Sequence, residues 1–310
     1  MVMQKRRLWG MLLAGGAAGL WGVSGPCSEY LFRHGVDLLW LIGSKMLFGG
    51  IVLGLYCLVR DPSGMLAVWR SRKAVVQLLL FTFFGMITMQ LIYFQTVAVS
   101  NAATATIMQY LAPILILGWV AVSTHTVPRR ADFMTIALAM MGTLLVVTKG
   151  RVTQLAISPQ ALWWGLLAAV AAAGYTLIPR WLLAHYSGVA VSAWSMMIGG
   201  AVITAYRPFW ERTPAMTTVM WAAYGFVLVF GTILAYAMYL VSLRYVAPTV
   251  VGLLDAFEPL GAVVAGVLFM HLRLDFWEAV GGLIILFTVG LMGVLTPKTP
   301  PHRSGVDEDG

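Results

Sequence analysis

This sequence of 310 residues has little charge and almost no cysteine. Lys and Arg number 20 and Asp and Glu 12, so charged residues make up 10% of the chain, against 60% hydrophobic. Mean hydropathy is +0.85. Ordinary globular domains carry about 25% charged and 45–50% apolar residues. So few charges could not cover a soluble surface, so water is not the main solvent. The formal net charge of +8 does not point to nucleic acid, because a basic patch needs a solvated face. Cysteine is limited to Cys27 and Cys57, too few for a disulfide framework, and both are read as small apolar residues. No Ser-His-Asp elbow, Walker loop, His/Cys metal spacing or Gly-rich dinucleotide turn stands in a credible context. Neither a metal nor a cofactor is therefore expected. An ATP-driven pump is disfavoured, since no soluble segment is long enough to bind nucleotide. These absences describe an integral membrane protein.

Long apolar runs are what the chain has instead. A hydrocarbon core about 30 Å thick takes about 20 apolar residues of helix. Ten segments fit: 8–32, 37–58, 74–98, 102–122, 132–148, 160–183, 190–209, 217–241, 247–269 and 275–295. Asp61-Pro62-Ser63-Gly64, Pro128-Arg129-Arg130 and Ser158-Pro159 mark the clearest breaks, whereas only Ser100-Asn101 parts the third run from the fourth. The first run follows Lys5, Arg6 and Arg7 as a signal peptide would. It continues to about Phe32, beyond the 7–15 residues of such a core, and more membrane follows, so it reads as a spanning helix. With a cytoplasmic N-terminus, inner segments hold most of the Lys and Arg, and outer ones hold Arg33, Lys149, Arg151, Arg207, Arg212 and Arg273. The positive-inside rule then places both termini in the cytoplasm and the protein in the cell (inner) membrane. Residues 297–310, rich in proline and acid, are expected to be a disordered cytoplasmic tail.

The chain also repeats itself. A shift of 146 residues lays Phe84, Gly85, Ile87, Tyr93, Pro113 and His125 on Phe230, Gly231, Ile233, Tyr239, Pro259 and His271. Trp9-Gly10 and Trp164-Gly165 open helices one and six. The expected fold is all-α: ten transmembrane helices as two inverted five-helix repeats, over 1–156 and 157–296. An odd number of helices per repeat makes the second copy thread the membrane in the opposite sense, as in many secondary transporters, whose substrate site lies near the midplane between repeats.

These features carry a resemblance. Ser100-Asn101-Ala102-Ala103-Thr104-Ala105-Thr106, Tyr110-Leu111-Ala112-Pro113 and Ala256-Phe257-Glu258-Pro259, with the span count and repeat, resemble the drug/metabolite transporter superfamily. Within it the chain is similar to EamA-type bacterial exporters from Leu8 to Thr296. The resemblance implies export of amino acids, related metabolites or drugs from the cytoplasm, often proton-coupled. It also matches Lys45 to a position that is usually basic. Many members carry a glutamate at the exits of helices four and nine, where this chain has His125 and His271.

A charge within a span costs at least about 2.5–3.5 kcal/mol, so it faces a cavity or a partner. Lys45 lies eight residues into helix two, roughly 12 Å deep at 1.5 Å per residue. It is a candidate anchor for a substrate carboxylate, or else a partner of an acid or a lysine snorkelling outward. Asp255 and Glu258 share a helix face three residues apart. Burial and like charge together favour a proton held between them, which makes the pair a candidate for proton coupling as well as for binding an amine. Only Gln109 and Ala112 align with them in the other repeat, so the acids are one-sided. Glu29 is placed near the outer interface, and the two histidines at helix ends.

Polar groups in lipid need partners, so Gln90, Tyr93, Gln109, Tyr236, Tyr239 and Trp21 should face the bundle interior as a substrate lining. Interhelical hydrogen bonding would explain any one of them. The reading is a secondary exporter, monomeric or homodimeric, that takes a small molecule against protons by alternating access and is not an enzyme. A gradient-independent facilitator or importer of the same fold is the first alternative. A polytopic enzyme acting on lipid, which would need catalytic polar groups near an interface, is the second.

Overall fold

In hydrocarbon a backbone must satisfy its own hydrogen bonds, and a helix does so within one segment. The computed structural model describes residues 2–123, 125, 130–150, 157–211, 213–242, 245–246, 254, 257–273 and 275–295. Among the described residues the regular structure is helical throughout, with no strand. The principal helices are α1 (Val2–Arg33), α2 (Leu38–Arg60), α3 (Arg72–Val99), α4 (Ala102–Ser123), α5 (Arg130–Thr148), α6 (Pro159–His185), α7 (Gly188–Tyr206), α8 (Thr218–Tyr239), α9 (Phe257–Met270) and α10 (Phe276–Leu295). Seven of them, α1 to α4 and α6 to α8, are long and apolar enough to cross a membrane. Helix α9 and the Phe276–Thr288 part of α10 are shorter apolar helices. Residues 247–253, Asp255, Ala256 and the tail lie outside the described residues.

Local chemistry sets the ends. The Asp37 carboxylate accepts from Trp40 N–H at 3.0 Å and starts α2. The Asn101 side chain accepts from Thr104 N–H at 2.8 Å, so the faint Ser100-Asn101 break is a true helix start. Helix α7 ends at Tyr206, three residues short of the expected 209. Pro208 disfavours helical backbone at the residue before it, and Arg207 sits at φ −134°, ψ 87°.

The 146-residue repeat is visible in the backbone. Within α3, Phe81–Ile87 winds as π-helix; within α8, Phe226–Leu234 does the same, and the shift carries 81–87 onto 227–233. Helices α4 and α9 are each followed by a histidine in the left-handed region, His125 at φ 52° and His271 at φ 53°. That region is uncommon for any non-glycine residue, although histidine is enriched there.

Packing follows the same two-fold pattern. Helix α1 lies against α8 and α9, and α6 lies against α3 and α4. Helix α2 pairs with α7, and α5 with α10. The α2–α7 pair is antiparallel. At one end Trp40 Nε1 donates to the Phe209 carbonyl at 2.9 Å, in the middle Gly50 faces Met197, and at the other Trp194 Nε1 donates to the Met65 carbonyl at 2.9 Å. The α5–α10 pair is antiparallel too. Lys149 meets Glu278 at 3.1 Å, while Gly142, further from that end, faces the Gly281 carbonyl.

Glycine lets α1 approach α9 closely. A Cβ at Gly22 would collide with the Glu258 carbonyl and lie 2.9 Å from Ala262 N, whereas one at Gly19 would meet nothing within 4 Å. Backbone atoms cannot give way as a side chain can. Gly22→Ala should therefore cost about 1–3 kcal/mol, the range for overpacking. Gly19→Ala should be neutral or slightly stabilising, because alanine is the better helix former. Unfolding of both variants in detergent checks this, and equal stabilities would refute it.

Candidate functional site

Helices α1, α2, α3, α4, α6, α8 and α9 line a partly open cavity of about 230 Å³. Its wall includes Lys45, Glu258, Gln109, Gln90, Tyr93, Tyr236 and Trp21, together with Ser24, Phe94, Tyr175, Thr176 and Thr232. Seven of the nine residues singled out from sequence thus share one space. Tyr239 is not among the lining residues. Its ring lies 5.3 Å from that of Trp21. Asp255 lies outside the described residues.

Lys45 does not snorkel. It is 6% exposed, and its ammonium sits 4.1 Å from the centroid of the Phe94 ring. A desolvated contact of this kind stabilises a cation by about 2 kcal/mol. Among the described residues the ion pairs are Arg33–Glu29, Lys149–Glu278 and Arg207–Asp37, and Lys45 is in none of them. Its charge is oriented by an aromatic face and presented to the cavity.

Two proline-containing helices bring further polar groups to the same space. Helix α4 is interrupted after Gln109 and resumes at Ala112, with Pro113 next. Proline has no N–H to donate to the carbonyl four residues earlier, so the break follows from Pro113. Gln109 stands at this break, and its Oε1 is buried without a hydrogen-bond partner. Under the 146-residue shift the counterpart of Ala112-Pro113 is Glu258-Pro259, in the first turn of α9. Glu258 is an electrostatic neighbour of both Tyr93 and Tyr236. Tyr93 exchanges a 3.0 Å hydrogen bond with the Thr106 hydroxyl, and Tyr236 packs edge-on against Trp21 at 5.2 Å. A broken helix such as α4 is a device by which transporters bring backbone and polar side chains to a midplane site.

Sequence reasoning missed Ser24, Tyr175, Thr176 and Thr232. Thr176 and Thr232 donate to the carbonyls of Ala172 and Val227 within their own helices. A hydroxyl satisfied in this way is compatible with any face of a span. Tyr175 was findable: it is a phenol two residues beyond the alanine-rich stretch Ala168–Ala173 of α6, where the rule that picked out Tyr93 applies equally.

Glu29 differs from the sequence expectation of an interfacial residue. It is 4% exposed; its Oε2 accepts from Ala102 N–H, at the start of α4, at 2.9 Å, and its Oε1 meets the Arg33 guanidinium at 2.6 Å. The carboxylate ties α1 to the N-terminal end of α4, where a helix favours negative charge. Glu29→Ala leaves that N–H buried and unmatched and should cost about 1–3 kcal/mol. Glu29→Gln retains an acceptor and should lose less. Thermal unfolding of both separates the two, and an alanine variant as stable as the glutamine variant would contradict the role.

Comparison with known proteins bears on what such a cavity serves. The model of the EamA-like transporter family matches residues 8–148 and again 159–294. The chain belongs to the EamA-like transporter family. Its two matches divide the chain as the internal repeat does. A Salmonella typhimurium protein named as an uncharacterized inner membrane transporter, YicL, is 32% identical over 289 residues, covering 92% of this chain and 95% of that one. Protein PecM of Dickeya dadantii is 27% identical over 150 residues, 47% of this chain and 50% of its own. A crystal structure with 18% sequence identity superposes with a TM-score of 0.63 over 92% of this chain and 96% of that one, which shows a shared fold. This EamA-family protein is a multi-pass membrane transporter, so it handles a small-molecule substrate within lipid. Family and relative alike indicate transport rather than catalysis.

Proposed function

We propose that the protein is a secondary exporter of a small zwitterionic metabolite, working by alternating access between two inverted five-helix halves that together cross the membrane ten times. In this reading Lys45 takes the substrate carboxylate, and Glu258, with Asp255 beside it in sequence, takes the amine and exchanges it for protons. Tyr93, Gln90, Gln109, Tyr236 and Trp21 line the path, with Tyr239 supporting Trp21. The observation that carries the reading is one cavity walled by helices from both halves that holds a desolvated cation, an acid and an orphan acceptor at Gln109. The antiparallel α2–α7 and α5–α10 pairs support the inversion, because they relate corresponding helices of the two halves.

Size narrows the substrate. A cavity of about 230 Å³ falls below the roughly 300–1,000 Å³ of pockets for drug-sized ligands. It suits a molecule of amino-acid size better than a multi-ring drug. An inner-membrane location agrees with the name of the Salmonella relative, and the positive-inside pattern supports the reading that both termini are cytoplasmic. Purified protein in liposomes under an imposed pH gradient, screened against amino acids and simple amines, tests the reading. Gradient-driven accumulation of a zwitterion supports it. Equilibration that ignores the gradient would instead favour a facilitator.

A further inference from the structure

The link between α2 and α3 is not a free loop. Pro62–Ala67 forms a short helix and Val68–Arg70 a 3₁₀ turn, and Met65 and Val68 are buried at 2% and 0% exposure. Across the molecule, α7 holds this segment: Trp194 Nε1 donates to the Met65 carbonyl at 2.9 Å, and its ring meets that of Trp69 edge-on at 5.0 Å. The segment therefore rides on the second half of the protein at the membrane surface, where α2 ends. The segment still leaves Leu66 46% and Trp69 43% exposed.

Basic residues flank those two apolar side chains along the chain. Arg60, Arg70, Arg72 and Lys73 are all exposed, and the Lys73 ammonium lies 4.3 Å from the centroid of the Trp181 ring. The Arg180–His185 stretch that carries Trp181 packs against the start of α3 and adds Arg180, also exposed. Asp61 is the acid of this stretch, and it is committed to capping. The Gly64 N–H and the Ser63 hydroxyl donate to Oδ1 at 2.9 and 2.8 Å and hold its carboxyl below the usual carboxylate range.

We propose that this face, built from both halves of the chain, is a binding site for the headgroup of an anionic phospholipid, with Leu66 and Trp69 seated among its acyl chains. Charge complementarity selects the occupant. A phosphodiester at the bilayer surface meets the guanidinium and ammonium groups at the depth where tryptophan partitions, between hydrocarbon and water. A neutral lipid could use the apolar pair but not the cations. Since Lys73 and Arg180 come from different halves, a bound lipid would bridge them.

Delipidated protein in neutral detergent, titrated with short-chain phosphatidylglycerol, phosphatidylcholine or inorganic phosphate, tests the site through the shift in melting temperature. A basic residue near an anionic surface strengthens association about fivefold, so three together amount to about 100-fold. Phosphatidylglycerol is expected to stabilise at about 100-fold lower concentration than phosphatidylcholine. That advantage should shrink in high salt and be largely lost in R70Q/R72Q/K73Q, which keeps Arg60 and Arg180, but persist in the distant control R273Q. Trp69→Ala should weaken both lipids. Equal potency of the two lipids, protection by inorganic phosphate as strong as by phosphatidylglycerol, or an unchanged advantage in a folded triple variant would each overturn the proposal. None of these readouts depends on the transported substrate.

Discussion

Replacing Glu258 by glutamine is expected to abolish gradient-driven accumulation in liposomes and to weaken, without abolishing, substrate exchange at equal pH. The carboxylate is the proposed meeting point of proton and substrate, and glutamine keeps its size and an acceptor but cannot be ionised. Linked binding sites typically change one another's affinity by about 5–150-fold. In the variant, the effect of pH on substrate affinity should fall to nothing. Asp255→Asn measured alongside shows whether the two acids titrate as a unit, because members of such a pair share macroscopic behaviour. Wild-type rates and pH dependence in both variants would rule out proton exchange at this pair.

The second large effect concerns Lys45. Truncating one member of a buried charge pair costs about 2–5 kcal/mol, which is roughly a 30- to several-thousand-fold loss of affinity. Lys45→Met should weaken binding of a carboxylate substrate to that extent and leave binding of its decarboxylated amine analogue much less affected. Stability of the empty protein should hold or rise, because replacing a desolvated charge with an apolar side chain of similar volume is often favourable. A scaffold role, in which Lys45 pairs with an acid to hold the helices together, predicts the reverse. The variant would then lose stability and bind both compounds equally poorly.

Much of the site was legible because the membrane makes polar residues expensive. Lys45, Glu258, Gln109, Gln90 and Tyr93 stood out against apolar runs, and all five line the cavity. The same rule could not separate Tyr239 from Tyr236. Three residues apart, the two phenols share one side of the helix and both pack against Trp21, at 5.2 and 5.3 Å, so only the placement of α8 among its neighbours decides that Tyr236 lines the cavity. Glu29 was misjudged for a related reason. Its position near a helix end suggested the interface, but its partner, Ala102 N–H, lies 73 residues away in sequence.

The Gly, Pro and His registrations likewise announced a repeat that the backbone displays as paired π segments and paired left-handed histidines. Their sequence signature was weak, since a π segment needs no special residue. It is rare in any sequence, and here its buried residues are Phe81, Thr82, Gly85, Met86 and Ile87.

By itself the sequence determined the solvent and the element type. With 10% charge the chain cannot face water, and in lipid its long apolar runs must satisfy their own backbone bonds as helices. It also determined which side chains were too polar to face the acyl chains. Tertiary structure alone decided how those side chains meet. Rotation about each helix axis and the pairing of helices across the two halves depend on small residues that let backbones touch, as Gly22 does against Glu258, and a glycine's partner cannot be read from the glycine. The few charges that first excluded a soluble protein become a cavity only once α2 and α9 are placed around it.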